Sequence, residues 1–557
     1  MSSATCLPLQ AFYERERRHP QKTYMIQPLS DGRVHAFNWY EVGQQARRVA
    51  QWLRNQNLAP GSHIALISKN DAHWLITDLA IWMAGHVTVP LYPNLTAASV
   101  AHVLEHSESV LVFVGKLDDW SHMVEGITPE RVTVSLPQAP LDSFDFNWDD
   151  LQACPPITDS PTPAAEQLAT VIYTSGTTGE PKGVMHNFGA LGYAASHATH
   201  MLGLHDHDRV ISYLPLCHVA ERLFVELASF YAGHCIYFSQ SLETFALDMQ
   251  RARPTVFLGV PRIWSKFQQA VYSRMGERRL SLLLSVPMVR QRVARHILHA
   301  LGLDAVRMGY IGASTVPQAL MLWYRRLGLE VVEIYGMTEN CGYSHVCRVG
   351  QHKPGWIGRH CEGVEVRIDP EGEVQMRSPA LMMGYFKNPQ LTREAFTRDG
   401  YLRTGDKGEQ DTLGHLRLRG RIKEIFKTSK GKYVAPGPIE GKLAAHAKIE
   451  QVCVVGDGLA GPLGLCVLSE RGREEAATVA RASLQGSLET LLHAVNAGLD
   501  KHEQLRSLVV VKDSWGTDNG FLTPTLKIKR TVIEDTYSEW FERWGADSRA
   551  VQWQDGN

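Results

Sequence analysis

The sequence predicts an α/β protein. A large N-terminal body of several subdomains, with parallel sheets flanked by helices and a β-rich part, precedes a small mobile C-terminal α+β domain. Three observations lead there. Apolar strands and helices alternate from residue 62, and the rhythm resumes near residue 209. After about residue 361 it gives way to short strands and turns, before a new α/β pattern begins near 421. Repeated βα units of this kind build a parallel sheet with helices on both faces.

In order, SHIALIS (62–68) reads as a strand, AHWLITDLAIWMAG (72–85) as a helix, HVTVPLY (86–92) as a strand, TAASVAHVLEHS (96–107) as a helix and VLVFVG (110–115) as a strand. Residues 137–165 are rich in Pro and Asp and are expected to form a long surface connection between two subdomains. RVISYLPL, a helix over about 219–232, HCIYFS, a helix near 242–251 and TVFLGV form the second alternating set. In VEVRIDPEGEVQMRS (364–378) the turn PEG separates two strands. The tail ends in the helical TVIEDTYSEWFERWG. These readings divide the chain into 1–420 and 421–557, with the boundary at residues 420–423 and a hinge near 421–424.

Composition limits the function. With 57 basic and 58 acidic residues the net charge is −1, so no overall field recruits nucleic acid. Nine scattered cysteines without a CxxC pair argue against a zinc site or disulfide framework and for a reducing compartment. The N-terminus has no basic segment followed by an apolar run, and no stretch reaches the length of a membrane span. A cytoplasmic protein, monomer or homodimer, is expected. RRLSLLLSVPMVRQRVARHILHALGL (278–303) is both basic and apolar, and Pro287 interrupts it. A packed helical pair is the preferred reading, with peripheral contact at the inner face of a membrane as the alternative.

TSGTTGEPKG (174–183) follows the apolar LATVIY, expected as a strand ending at Tyr173, and precedes residues compatible with a helix. Backbone amides, the hydroxyls of Thr174, Ser175, Thr177 and Thr178, and the Lys182 ammonium suit an anion such as phosphate. Glu180 and Pro181 break the spacing of a Walker loop, so this is not a P-loop NTPase.

Downstream come LPLCHVAER (214–222), YGMTEN (335–340), YLRTGD (401–406), GRIKEIFKTSKGKYVAPGPIE (420–440) and LTPTLKIKR (522–530). In this order, and over nearly the whole chain, they resemble the adenylate-forming superfamily of acyl-CoA synthetases, luciferases and peptide-synthetase adenylation domains. LPLCHVAER, FLGVPRIW (257–264) and the LTPTLKIKR ending are most similar to its long-chain, bubblegum-like fatty acyl-CoA synthetase branch.

The resemblance implies an ATP-dependent, Mg²⁺-assisted ligation of a fatty acid to coenzyme A. It implies that Thr174, Ser175, Gly176, Thr177, Thr178, Gly179 and Lys182 hold the β,γ-phosphates. Glu339, with Thr174, would contact Mg²⁺, Thr338 the α-phosphate, and Tyr335, followed by Gly336, the adenine. Asp406 and Arg421 would take the ribose. Lys527 would bridge the carboxylate and the α-phosphate, with Lys529 a weaker competitor. His218 would gate the carboxylate pocket or simply pack there. Lys423 matches the hinge, and Gly431 the glycine beside the pantetheine tunnel. Gly312, Ala313 and Ser314 of GAST stand where relatives carry GAAP or GSAP, beside adenine and the acyl carboxylate. Leu526 stands where the family often has glycine. Arg222 is expected to pair with Glu221 or Glu226. Alternatives left open are acyl transfer to a carrier protein, β-lactone closure, and a nucleotide-binding regulator without turnover.

Overall fold

The computed structural model describes residues 6–175, 181–314, 316–348, 350–351, 353, 355–517, 519–523 and 526–554. Among these, no helix is long and apolar enough to cross a membrane.

An eight-stranded sheet runs edge to edge through Gly384–Tyr385, Pro181–Asn187, Leu168–Ser175, Val87–Leu91, His63–Ile67, Leu111–Val114, Val132–Ser135 and Phe146–Asn147. The predicted strands at 62–68, 86–92 and 110–115 are its parallel centre. Alternation along them fills two cores. Ile64, Leu66 and Phe113 face one together with helix Ala72–Met83, while Ala65, Ile67, Val112 and Val114 face the other with helix Ala97–His106. A sheet buried on both faces needs apolar residues at successive positions, which is why these strands read as continuous apolar runs. A four-stranded sheet in the order Arg209–Ser212, Cys235–Phe238, Thr23–Pro28, Val34–Asn38 lies within the same body.

A nine-stranded sheet joins parallel strands Val256–Gly259, Met308–Ile311 and Val331–Tyr335 to an antiparallel set that includes Glu365–Ile368, Glu373–Arg377, Leu402–Gln410 and His415–Arg421. Beyond Arg421 a separate four-stranded sheet, Ile449–Val455, Leu463–Leu468, Ser507–Val510 and Val551–Trp553, buries both faces. Val452 and Val454 face helix Arg481–Ala497 through Leu484, Leu488 and Leu492, whereas Cys453 and Val455 face helix Arg530–Ala546 through Ile533, Tyr537 and Trp544.

Three expectations are corrected. The strand that begins with LATVIY continues to Ser175, and a second strand, Pro181–Asn187, pairs with it, Thr174 opposite Lys182. Val184 and His186 alternate inward, a period-two pattern, and the helix starts only at Phe188, capped by the Asn187 side chain accepting from Ala190 N–H at 2.8 Å. Residues 137–165 do not separate two subdomains. They add the edge strand Phe146–Asn147 and helix Trp148–Gln152, then return across the same sheet to Leu168–Ser175. The chain also does not end on its helix, because Val551–Trp553 pairs parallel to Ser507–Val510.

Candidate active site

YGMTEN lies where strand Val331–Tyr335 leaves the nine-stranded sheet. Cys341 (φ 58°) and Gly342 (φ 70°) turn the chain back so tightly that a Cβ on Gly336 would meet the Gly342 carbonyl oxygen at 2.4 Å. Only glycine fits there. Met337 N–H donates to Asn340 Oδ1 at 2.9 Å, closing the single turn Thr338–Asn340. His186, from the strand after the phosphate-type loop, donates Nε2–H to the Thr338 carbonyl at 2.7 Å. Burial pushes its pKa down to about 4 against the raising effect of that bond, so the ring is neutral at pH 7.

Two acidic residues face this corner. Glu339 accepts from the Tyr385 hydroxyl at 2.8 Å, and the Lys182 ammonium lies 5.8 Å from the Tyr385 ring, so Lys182, Tyr385 and Glu339 form one row. Asp406, buried, accepts from the Tyr335 hydroxyl at 2.5 Å and pairs with Arg421 Nε at 3.0 Å, while Arg421 Nη1 donates to the Thr404 carbonyl at 3.0 Å. Burial raises the Asp406 pKa, opposed by Arg421, the Tyr335 bond and Lys527.

Lys527 comes from the C-terminal sheet's side of the junction. Its N–H donates to Thr523 Oγ1 at 3.1 Å and its carbonyl accepts from Thr523 N–H at 2.8 Å. That turn places Leu526 at φ 61°, which explains why glycine suits this position and why leucine is strained in it. The Lys527 side chain remains solvent-accessible, yet crowding between the two parts of the chain lowers its pKa, desolvation first and the Arg421 cation second, with Asp406 and Glu339 opposing. His218 accepts from Ala220 N–H through Nδ1 at 3.2 Å, and desolvation, then the Lys527 charge, push its pKa down to about 3. The structure thus brings Thr338, Glu339, Tyr335, Gly336, Asp406, Arg421, His218, Lys182 and Lys527 together. Gly312 abuts the Ile334 carbonyl beside Tyr335, with Ala313 (φ 69°) and Ser314 exposed after it. Thr174 lies opposite Lys182 in the hairpin, and Ser175 opposite Pro181. Gly176, Thr177, Thr178 and Gly179 lie outside the described residues. Lys423 is exposed in the turn Ile422–Glu424, and Gly431 sits on a separate exposed turn, where its N–H donates to the Thr428 carbonyl.

Arg222 pairs with Glu226, one of its two expected partners, and gains a second, Asp78, in place of Glu221. Its guanidinium meets Asp78 at 2.6 Å and Glu226 at 3.2 Å, stacked near Trp74 and Trp82, whereas Glu221 accepts instead from Ser212, Tyr213 N–H and Asn70. Asp78 lies 144 residues away, and no local pattern signals it. Tyr385 and His186 were also missed. The signal for His186 was a polar residue on the inward face of an otherwise apolar strand; Tyr385 had none. Glu333, two residues before Tyr335, has its pKa pushed up to about 7 by burial.

Comparison with known proteins now decides the family. A model described as AMP-binding enzyme matches residues 12–386, and one for the AMP-binding enzyme C-terminal domain matches residues 423–544. The chain belongs to the AMP-binding enzyme family. It is 29% identical over 574 residues to long-chain-fatty-acid–CoA ligase FadD15 of Mycobacterium bovis, covering 94% of this chain and 95% of that protein. It is 28% identical to rat (Rattus norvegicus) long-chain-fatty-acid–CoA ligase 5, over 89% and 82% of the two chains. Its fold matches the adenylation domain of a carboxylate reductase from Mycobacterium chelonae with a TM-score of 0.81, at 20% identity, covering 98% and 92%. The AMP-binding fold therefore accounts for both the body and the smaller C-terminal part.

Two predictions follow from the geometry. Burial pushes the Glu221 carboxyl up to about 8 from 4.5. Because its folded-state pKa is raised, its contribution to stability is full below about pH 4.5 and is lost as pH rises toward 8, at up to about 1.4 kcal/mol per unit. Thermal unfolding of Glu221→Gln should show a flatter decline in Tm across that window than the parent protein. Leu526→Gly removes the left-handed strain and should raise stability by about 0.5–1 kcal/mol, while Leu526→Val should lower it; urea midpoints of both variants read this directly.

Proposed function

We propose that this AMP-binding enzyme is an ATP-dependent fatty acid:CoA ligase working through an acyl-adenylate, with the division into 1–420 and 421–557 as its two working parts. The observation that carries the reading is the meeting of Lys527, from the far side of the junction, with Asp406, Glu339 and neutral His218 from the body. The names of the similar proteins support a long-chain fatty acid as the substrate and coenzyme A as the acceptor.

In the first step a carboxylate oxygen bonds to the α-phosphorus of ATP and the bond to the bridging oxygen breaks, releasing pyrophosphate. The acid is already ionised at pH 7, so the site needs to position and neutralise charge rather than remove a proton. Lys527 suits the carboxylate and the α-phosphate, since desolvation and Arg421 lower its pKa while Asp406 and Glu339 favour its cation. Lys182, opposite Thr174, suits the β,γ-phosphates; Asp406 with Arg421 suits the ribose, and the Tyr335 ring the adenine. Neutral His218 suits a place beside the carboxylate, since a cation there would be repelled by Lys527.

Among the described residues no group of three or more His, Cys, Asp or Glu forms a metal cage. A single carboxylate with one oxygen engaged by Tyr385 matches how Mg²⁺ is held mainly by phosphate oxygens and water. Glu339, with Thr174, would hold it; when bound, the ion neutralises phosphate charge. In the second step a thiol sulfur bonds to the acyl carbon, the acyl–phosphate oxygen bond breaks, AMP leaves, and the thiol proton goes to solvent.

Glu339→Gln should reduce pyrophosphate release and shift its Mg²⁺ dependence to higher concentration. Lys527→Ala should lose roughly 3–4 kcal/mol of transition-state stabilisation in adenylation, yet leave supplied acyl-AMP reactive with CoA. Gly431→Leu should do the converse, and Lys423→Pro should slow the second step more than the first. Separate assays of the two half-reactions, with CoA and with a carrier protein as acceptors, check these outcomes; equal loss in both steps for Lys527→Ala and Gly431→Leu overturns the two-step use of the C-terminal part.

A further inference from the structure

Helices Glu277–Ser285 and Pro287–Ala300 pack as expected on their inner side. Leu280, Leu284, Ala294 and Ile297 join one core with Trp323 and Tyr324 of helix Gln318–Arg326. Arg290 Nε donates to the Arg326 carbonyl at 3.1 Å, so the corner between the first two helices adjoins the end of the third. The outer side is different. Met288 is 88% exposed, Leu282 70% and Leu322 49%, with Val286 and Val289 also exposed around the Pro287 corner.

Charge on this side is predominantly positive. Segments 277–300 and 318–326 hold seven arginines and a single carboxylate, Glu277, in a chain whose net charge is −1. Arg278, Arg279, Arg290, Arg292, Arg325 and Arg326 are exposed, and among the described residues none of them pairs with a carboxylate. Elsewhere the surface arginines mostly do pair, as Arg54 with Asp159 and Arg367 with Asp399. Unpaired guanidiniums interleaved with exposed leucine and methionine complement a surface that is anionic outside and apolar just beneath. A nucleic acid matches only the charges, and a second copy of this chain brings the same positive sign to a symmetric contact.

We propose that this face docks on an anionic lipid surface, with Leu282 and Met288 entering below the headgroups and the arginines meeting lipid phosphates. The proposal does not depend on the ligase reading. It is tested on the full chain by co-sedimentation with phosphatidylcholine vesicles with and without phosphatidylglycerol, at low and high salt. Binding is expected only with phosphatidylglycerol, weakening about tenfold or more at high salt. The Arg290→Glu/Arg292→Glu and Leu282→Ser/Met288→Ser double variants should each lose it while keeping pyrophosphate release with a water-soluble acid. Three results overturn the proposal. They are no vesicle binding, binding undiminished by the Leu282/Met288 variant, and a polyanion such as RNA held by the parent and the Leu282/Met288 variant alike while vesicles are not. Concentration-dependent self-association of the parent, lost in both variants, would assign the face to a second copy instead.

Discussion

The Asp406–Arg421 pair is the point on which the site depends. The two are cross-strand partners in the antiparallel half of the nine-stranded sheet, and Arg421 is the last residue of its strand before the C-terminal part begins. Tyr335, which reaches Asp406 from the parallel half, brings the YGMTEN turn to the same carboxylate. One buried oxygen pair therefore fixes two halves of a sheet and the root of the next domain. Burial alone would push Asp406 toward its neutral acid; Arg421, the Tyr335 hydroxyl and Lys527 oppose that, and each loses part of its role if Asp406 is protonated.

Beneath this corner the protein uses enclosed polar groups to hold shape. Arg222, fully buried between Trp74 and Trp82, opens a π-helical turn, Arg222–Leu227, and bridges it to Asp78 on helix Ala72–Met83. Taking three ionisable groups out of water is costly, and burial raises the Glu226 pKa, with the Arg222 cation opposing. Removing Arg222 or Asp78 leaves a buried charge uncompensated, so the cluster fixes the register between helix and turn more than it adds net stability. His186 and His218 follow the same logic in their neutral forms, since each spends a ring nitrogen on a backbone group that fixes the loop carrying Thr338 or the helix start at Val219.

Much of this was legible in the sequence because it rests on short-range pattern. The strands at 62–115 announce a parallel sheet through unbroken apolar runs, and the PEG turn announces a hairpin through its own residues. The ordered motifs mark Tyr335, Glu339, Asp406 and Lys527, which the fold brings to one corner. What was missed depends on distant pairing. The strand Pro181–Asn187 is recognisable only by the partner it pairs with, the 137–165 segment only by the sheet edge it joins, and the Arg222 partner Asp78 only across 144 residues. Leu526 lies between these cases. The sequence marked it as a departure from glycine, but only the positive φ gives that departure a physical cost.

The junction also sets how easily the proposed alternation can run. Among the described residues, Arg262 with Glu450, at 2.7 Å, is the one ion pair linking the chain before residue 421 to the chain after 422, and both side chains are about a third exposed. A pair so open to solvent is worth at most about 1 kcal/mol. Arg530, by contrast, is bound to Glu440 and the Val454 carbonyl within the C-terminal part itself, and Arg421 stays bound to the body through Asp406 and Thr404. Ion pairs thus concentrate on either side of residues 422–425, while helix Pro436–Leu443 packs on strand His415–Arg421 across them. A rotation there breaks one exposed pair and withdraws Lys527 from the field of Asp406 and Glu339, while each sheet keeps its core. Bound substrate phosphates would add to the hold on Lys527, and loss of pyrophosphate would remove most of that addition, so the chemistry of the first step itself favours release of the domain for the second.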